Sequence, residues 1–336
     1  MTFLADLAAG SILASLVFYA LTGGADFGGG VWALFNRGPR SDERERLIVR
    51  AIGPVWETNH IWVIVAVVVL FTGFPSAYAL LSTALFLPVT LVLAGIVARG
   101  SAFAFHSYHL HRESRAAGWG TLFAVSSLLT PLLLGVILGA VSAGTIRGTG
   151  LADLVSGTRS WLAVFPLSVG VLTLSSFSYL AAVYLLLETD VPLLREDFRL
   201  RAMASLAVVV LLSIAIPLLS AGGAPEFHRA LTGSRWSLPL LGTNAVAAVG
   251  AGIFLRLRAY RLARVCAAAQ VTLLLAGWGL AQHPYLIRPD LTIRAAAASP
   301  EMLRLMLIAL AAGALLLFPA IFLLLRIFKG EALFGR

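Results

Sequence analysis

The sequence predicts an all-α fold: a polytopic membrane helical bundle of about nine transmembrane helices, N-terminus outside and C-terminus cytoplasmic. Three observations carry this reading. The chain of 336 residues is 59% hydrophobic and only 12% charged, with a mean hydropathy of +0.91, far more apolar than a soluble domain of this length. Its apolar runs approach the ~20 residues, at ~1.5 Å each, that cross a hydrocarbon core. Its arginines crowd into alternate loops, as membrane topology requires. In lipid the backbone must satisfy its own hydrogen bonds, and a helix does so within one segment.

The runs fall at roughly 4–22, 53–72, 77–98, 119–142, 161–187, 202–221, 236–257, 262–282 and 302–327. Residues ahead of the first run lack Lys and Arg and include Asp6, so this run reads as a retained span. A tight Gly73-Phe-Pro-Ser link joins spans two and three, and an arginine-rich turn joins seven and eight. One set of loops holds Arg37, Arg40, Arg44, Arg46, Arg50, Arg112, Arg115, Arg195, Arg199, Arg201, Arg256, Arg258, Arg261 and Arg264, with Arg99 near a helix end and Arg326, Lys329 and Arg336 in the tail. The opposite set holds Arg147, Arg159, Arg229, Arg235, Arg288 and Arg294. The bias places the first set in the cytoplasm.

No loop is long enough for a core of its own, so residues 1–336 read as a single integral membrane domain. The net charge of +9 is almost all arginine and serves topology; it does not imply nucleic acid. The single cysteine, Cys266, excludes an internal disulfide and a cysteine-based metal cluster, and reads as a small core residue. Without Cys-x-x-Cys-His there is no covalent haem attachment.

The most informative stretch is Arg50-Ala-Ile-Gly-Pro-Val-Trp-Glu-Thr-Asn-His-Ile-Trp62. It places Glu57, Asn59 and His60 in the first half of span two, where ionisable groups are expensive and usually face a bundle interior or a water path. Glu57 and His60, three apart, project from one helix face. Glu57 reads as an intramembrane carboxylate that accepts and passes protons, the competing reading being a solvated rim group. Trp56 and Trp62 suit interface anchors, and Pro54 a first helical turn. A di-iron site would need a second Glu-x-x-His pair, and the chain has one.

Asp26 lies in Gly23-Gly-Ala-Asp-Phe-Gly-Gly-Gly30, where five glycines permit close helix packing or a break. The competing readings are a structural Asp and a proton-handling one. A nucleotide loop fails for want of a preceding strand and a following Lys-Ser/Thr. Arg99 closes span three, where it complements the helix dipole or pairs with Glu57. His106, His109 and His111 read as a solvated basic loop, with metal binding as the sharper alternative; no metal site is expected. Trp278 and Tyr285, with Pro284 and Pro289, mark an ordered outer loop. His60 is the only histidine clearly inside a span, and Met203, Met302 and Met306 sit near span ends, thin support for a haem carried by this chain.

Five motifs in order carry a resemblance to a known family. They are Gly-Ala-Asp-Phe-Gly-Gly-Gly at 24–30, Ile52-Gly-Pro-Val-Trp-Glu-Thr-Asn-His-Ile-Trp62, Arg99-Gly-Ser-Ala-Phe-Ala-Phe105, Trp278-Gly-Leu-Ala-Gln-His-Pro-Tyr285 and Pro289-Asp-Leu-Thr-Ile293. The chain resembles subunit II of the cytochrome bd quinol oxidases, in a short form similar to the cyanide-insensitive branch. The resemblance implies a haem-free subunit supporting subunit I, which carries haem b, haem d and the quinol site. It implies a share in cytoplasmic proton uptake, with Glu57, Asp26 and His60 as pathway candidates and Arg99, Trp56 and Asn59 in support. No cofactor is then bound solely by this chain, a structural quinone being the one allowance. The partners would be subunit I, quinol, membrane lipids and a small accessory subunit, in the bacterial cytoplasmic (inner) membrane. Ala104 departs from the family, many of whose members carry an acidic residue there. The alternative is a secondary transporter in which Asp26, Glu57 and Arg99 bind substrate or a coupling ion at a broken helix.

Overall fold

The computed structural model describes residues 2–53, 56–110, 117–146 and 160–334. The chain runs through α1 (Thr2–Leu34), α2 (Ser41–Ile52), α3 (Trp56–Asn59), α4 (Ile61–Gly73), α5 (Pro75–Ala84), α6 (Phe86–Leu110), α7 (Ala117–Ser142), α8 (Val164–Leu185), α9 (Pro192–Gly223), α10 (Pro225–Gly233), α11 (Ser237–Arg256) and α12 (Tyr260–Gln282). An antiparallel ribbon of β1 (Tyr285–Ile287) and β2 (Leu291–Thr292) follows, then α13 (Ile293–Ala296) and α14 (Pro300–Phe334). Among the described residues, nine helical segments are long and apolar enough to cross a membrane, α3 and α4 forming one of them. Proline opens α5, α9, α10 and α14, where a missing N–H costs nothing.

The bundle is organised around α1, which packs against α4, α7, α8 and α12. One buried cluster, including Tyr19, Phe27, Ile48, Phe123, Phe177 and Phe198, fills the half towards which α1 ends. A second, including Ala5, Phe74, Leu85, Val141, Ile287 and Met306, fills the end where α1 begins. The ribbon belongs to that second end and forms the ordered loop expected after span eight. Large apolar side chains such as Leu93, Val246 and Leu316 stand exposed, as a bundle surrounded by lipid requires.

Three expectations about the elements are corrected. The first helix does not end near residue 22 but continues through the glycines to Leu34. Glycine is a poor helix former in isolation; here neighbouring chain is pressed onto it. A Cβ on Gly28 would lie 2.1 Å from the Phe177 carbonyl oxygen, and one on Gly30 2.1 Å from Ser127 Oγ. The third span does not begin at 77. Phe74 is fully buried and ends α4, the ten-residue α5 follows, and α6 starts only at Phe86. The Ala298 N–H donates to the Gly73 carbonyl, so this corner is clamped to the segment before α14. The second span is interrupted: α3 stops at Asn59 and α4 starts at Ile61.

Two side chains are also placed differently. Trp62 is buried and stacks on Phe18, with ring centroids 4.5 Å apart, and is not an interface anchor. Cys266 is half-buried at the rim of the core. Pro54 lies outside the described residues, as do Arg112, Arg115, Arg147 and Arg159 and the side chains of His106, His109 and His111.

Candidate functional site

Four helices bring polar groups to one buried place. Asp26 sits on α1, only 6% exposed, where it accepts a hydrogen bond from Asn59 Nδ2 of α3 at 2.5 Å. Arg99 enters from α6, 1% exposed. Its Nε donates to Ser127 Oγ of α7 at 3.1 Å. Its guanidinium lies 4.5 Å from the Phe27 ring centroid and 5.3 Å from that of Phe123, cation–π distances that help hold a charge away from water. Arg99 Nη2 has no hydrogen-bond partner. Asp26 lies near enough to act on Arg99 electrostatically, as does Tyr19.

The local chain explains this placement. Tyr19 and Asp26 are seven apart on α1 and share a face. Around them the glycines leave no side chain between α1 and its neighbours, so the carboxylate is sealed by Phe177 at Gly24 and by Tyr19 and Asn59 at Gly23. In α3 the helix lasts one turn, and the His60 N–H reaches the Glu57 carbonyl three residues back at 3.3 Å. That turn points Asn59 inward to Asp26 and leaves Glu57 outward. His60 is half-buried, with Nδ1 3.4 Å from the Tyr19 hydroxyl and its ring edge-on to Phe27. Trp56 is half-buried against Phe103, centroids 5.7 Å apart, and packs over Gly100.

Of the residues singled out in the sequence, Asp26, Asn59, His60 and Arg99 are therefore brought together, with Trp56 alongside. Glu57 is not in the buried cluster. It is exposed, and among the described residues its side chain makes no ion pair, so the expected Glu57–Arg99 pair does not form. Arg99 does not close its helix either. Because α6 runs from Phe86 to Leu110, Arg99 lies in mid-helix, and its side chain is enclosed by protein. Ala104 is exposed on the same helix. Among the described residues no three His, Cys, Asp or Glu side chains are grouped to hold a metal ion. Tyr19 and Ser127 complete the site and were missed. Tyr19 had a legible signal in its seven-residue offset from Asp26, whereas Ser127 is one of many serines in apolar helices.

The fold and this cluster define a class: an integral membrane helical bundle that keeps a carboxylate, an amide and a guanidinium together in its interior. Residues 4–328 match the family model described as Cytochrome bd terminal oxidase subunit II, so the chain belongs to that family. It is 24% identical over 339 residues to the Putative cytochrome bd menaquinol oxidase subunit II of Bacillus subtilis (strain 168), covering 96% of this chain and 94% of that one. It is 31% identical over 130 residues to the Cytochrome bd-I ubiquinol oxidase subunit 2 of Escherichia coli (strain K12), 38% of this chain and 33% of that one. The fold matches a chain of the bd oxidase from Geobacillus thermodenitrificans with a TM-score of 0.77 at 24% identity, over 100% of both chains.

Proposed function

We propose that the protein is the haem-free second subunit of a cytochrome bd-type quinol:oxygen oxidoreductase, and that its Asp26 cluster passes protons inward to a redox centre held by subunit I. The observation that carries the proposal is the burial of Asp26 in an enclosed polar cluster, one short helix away from an exposed carboxylate. Subunit I would carry haem b and haem d and take the quinol, in the bacterial cytoplasmic membrane with the N-terminus of this chain outside. Membership of the oxidase subunit family favours this over a secondary transporter.

The roles follow from the chemistry of the side chains. Reduction of oxygen to water consumes protons, which must cross a low-dielectric interior. Glu57, at the protein surface, collects a proton. Asn59 and His60, next on the chain, lead inward. Asp26 holds the proton, and Tyr19 and His60 supply a hydroxyl and an imidazole in contact with each other. Arg99 fixes the charge balance of the cluster and is itself held by Ser127 and two rings.

The test is Glu57→Gln in the assembled complex. Oxygen consumption falls while the haem absorption spectrum persists. Unchanged oxygen consumption with an intact spectrum would remove Glu57 from the route, and loss of the spectrum would make it structural. Affinity capture of the chain from its native membrane should also bring down a larger haem protein. A colourless chain that moves solute into vesicles unaided would overturn the oxidase assignment.

A further inference from the structure

A groove of about 710 Å³ opens between the start of α9 and the turn joining α11 to α12. Its walls are of two kinds. Leu187, Leu193 and Leu262 supply apolar surface, and Arg195, Arg258 and Arg261 supply cations. Arg258 has φ 58°, a left-handed backbone conformation unusual for a side chain of this size. Its guanidinium sits 3.6 Å from Glu196, which also binds Arg199. Arg195 is placed 6.0 Å from the centroid of the Tyr260 ring. Its acidic partner Asp190 is fully exposed, so water screens that pair. Arg261 is exposed and forms no ion pair among the described residues. The one carboxylate in the groove is thus shared by two arginines, and positive charge is left over.

We infer that this groove is a binding site for an anionic glycerophospholipid, whose phosphate is held by Arg195, Arg258 and Arg261 and whose acyl chain lies on the leucines. The charge calls for an anion, and arginine binds phosphate through paired N–H donors. The surroundings call for a lipid. Leu193 is 59% exposed, Leu257 70% and Leu262 51%, so the mouth lies at the ends of spans with lipid-facing side chains beside it. A free phosphate would satisfy the arginines and leave that surface in water. Basic pockets between spans are recurrent sites for anionic headgroups. The inference is independent of the proton route, which lies on α1, α3 and α6.

The test uses the purified complex in detergent and native mass spectrometry. The probes are dioleoyl phosphatidylglycerol, dioleoyl phosphatidylcholine and inorganic phosphate, offered separately. Wild type retains phosphatidylglycerol in preference to phosphatidylcholine. The double variant R258Q/R261Q lowers that retention roughly 30-fold, from the usual contribution of two arginines near a charged lipid surface. The control R235Q/R294Q, exposed arginines elsewhere, leaves it unchanged. Equal retention of the two lipids by wild type would overturn the site without recourse to any variant. Retention of inorganic phosphate, lost in R258Q/R261Q, would replace the lipid with a free anion. An R258Q/R261Q complex that keeps its selectivity would place the lipid elsewhere.

Discussion

The Asp26–Arg99 relation is the most exacting test of the site. Asp26→Asn is nearly isosteric and leaves an oxygen to accept from Asn59, so it removes little but the charge. Arg99 would then remain 1% exposed with no counter-charge and with Nη2 still unpartnered. Breaking a buried charge pair by deleting one member costs about 3–5 kcal/mol, most of it the penalty of the charge left behind. Arg99→Gln strands the carboxylate in the same way, eased by Asn59. The double variant removes both charges and should cost less than the sum, by about 1–3 kcal/mol for two groups of one network. Thermal denaturation of the purified complex, followed by loss of near-ultraviolet dichroism, measures all four corners. Additivity within about 0.5 kcal/mol would show that the two charges do not sense each other and would refute the reasoning. Oxygen consumption separates the roles: a double variant that recovers stability but not turnover assigns the proton to Asp26 itself.

Other consequences are simpler to measure. Gly28→Ala forces a methyl group to 2.1 Å from the Phe177 carbonyl and should cost about 1–3 kcal/mol or prevent assembly, whereas Gly10→Ala meets nothing within 4 Å and should be neutral or slightly stabilising by thermal denaturation. Arg44→Ala removes bonds to Asn36, Asp197 and the Arg37 carbonyl from a residue 6% exposed, and should lower stability by about 2–3 kcal/mol. Arg40→Ala gives up a 3.9 Å contact with the same Asp197 at the surface and should cost under about 1 kcal/mol. Trp278→Phe loses the 2.8 Å bond to Ser142 Oγ and should lower stability by about 1 kcal/mol, without changing the haem spectrum.

Much of the fold could be read from composition alone, because lipid allows a chain this apolar few choices besides helices. What could not be read were the places where tertiary contact overrides local preference. The glycine run allowed either close packing or a break, and nothing local shows that Phe177 and Ser127 will be pressed onto it. Residues 75–84 looked like the start of a span, since hydropathy does not register the buried corner at Phe74. That misplacement moved Arg99 from the middle of its helix to the end and suggested a partner it does not have. The motif around Glu57 was recognisable, but its orientation was not. Glu57 and Asn59 are two apart on a single turn, so one faces out when the other faces in, and the partner that decides which is Asp26, 33 residues earlier.

The glycines and the arginine are therefore parts of one device. Ser127 Oγ is the atom a Cβ on Gly30 would strike, and it is also the acceptor for Arg99 Nε. Phe27, next to Asp26 in sequence, is fully buried and supplies the ring over which the guanidinium lies. A side chain larger than hydrogen at Gly30 would push α7 away, withdraw Ser127, and open the cluster to water or to lipid. In water the Asp26–Arg99 attraction would fall several-fold, because the effective dielectric around it would rise. Close packing of α1 is thus what keeps the charges strong enough to hold each other. It also explains why a helix with five glycines between residues 23 and 30 is continuous past the buried carboxylate of Asp26.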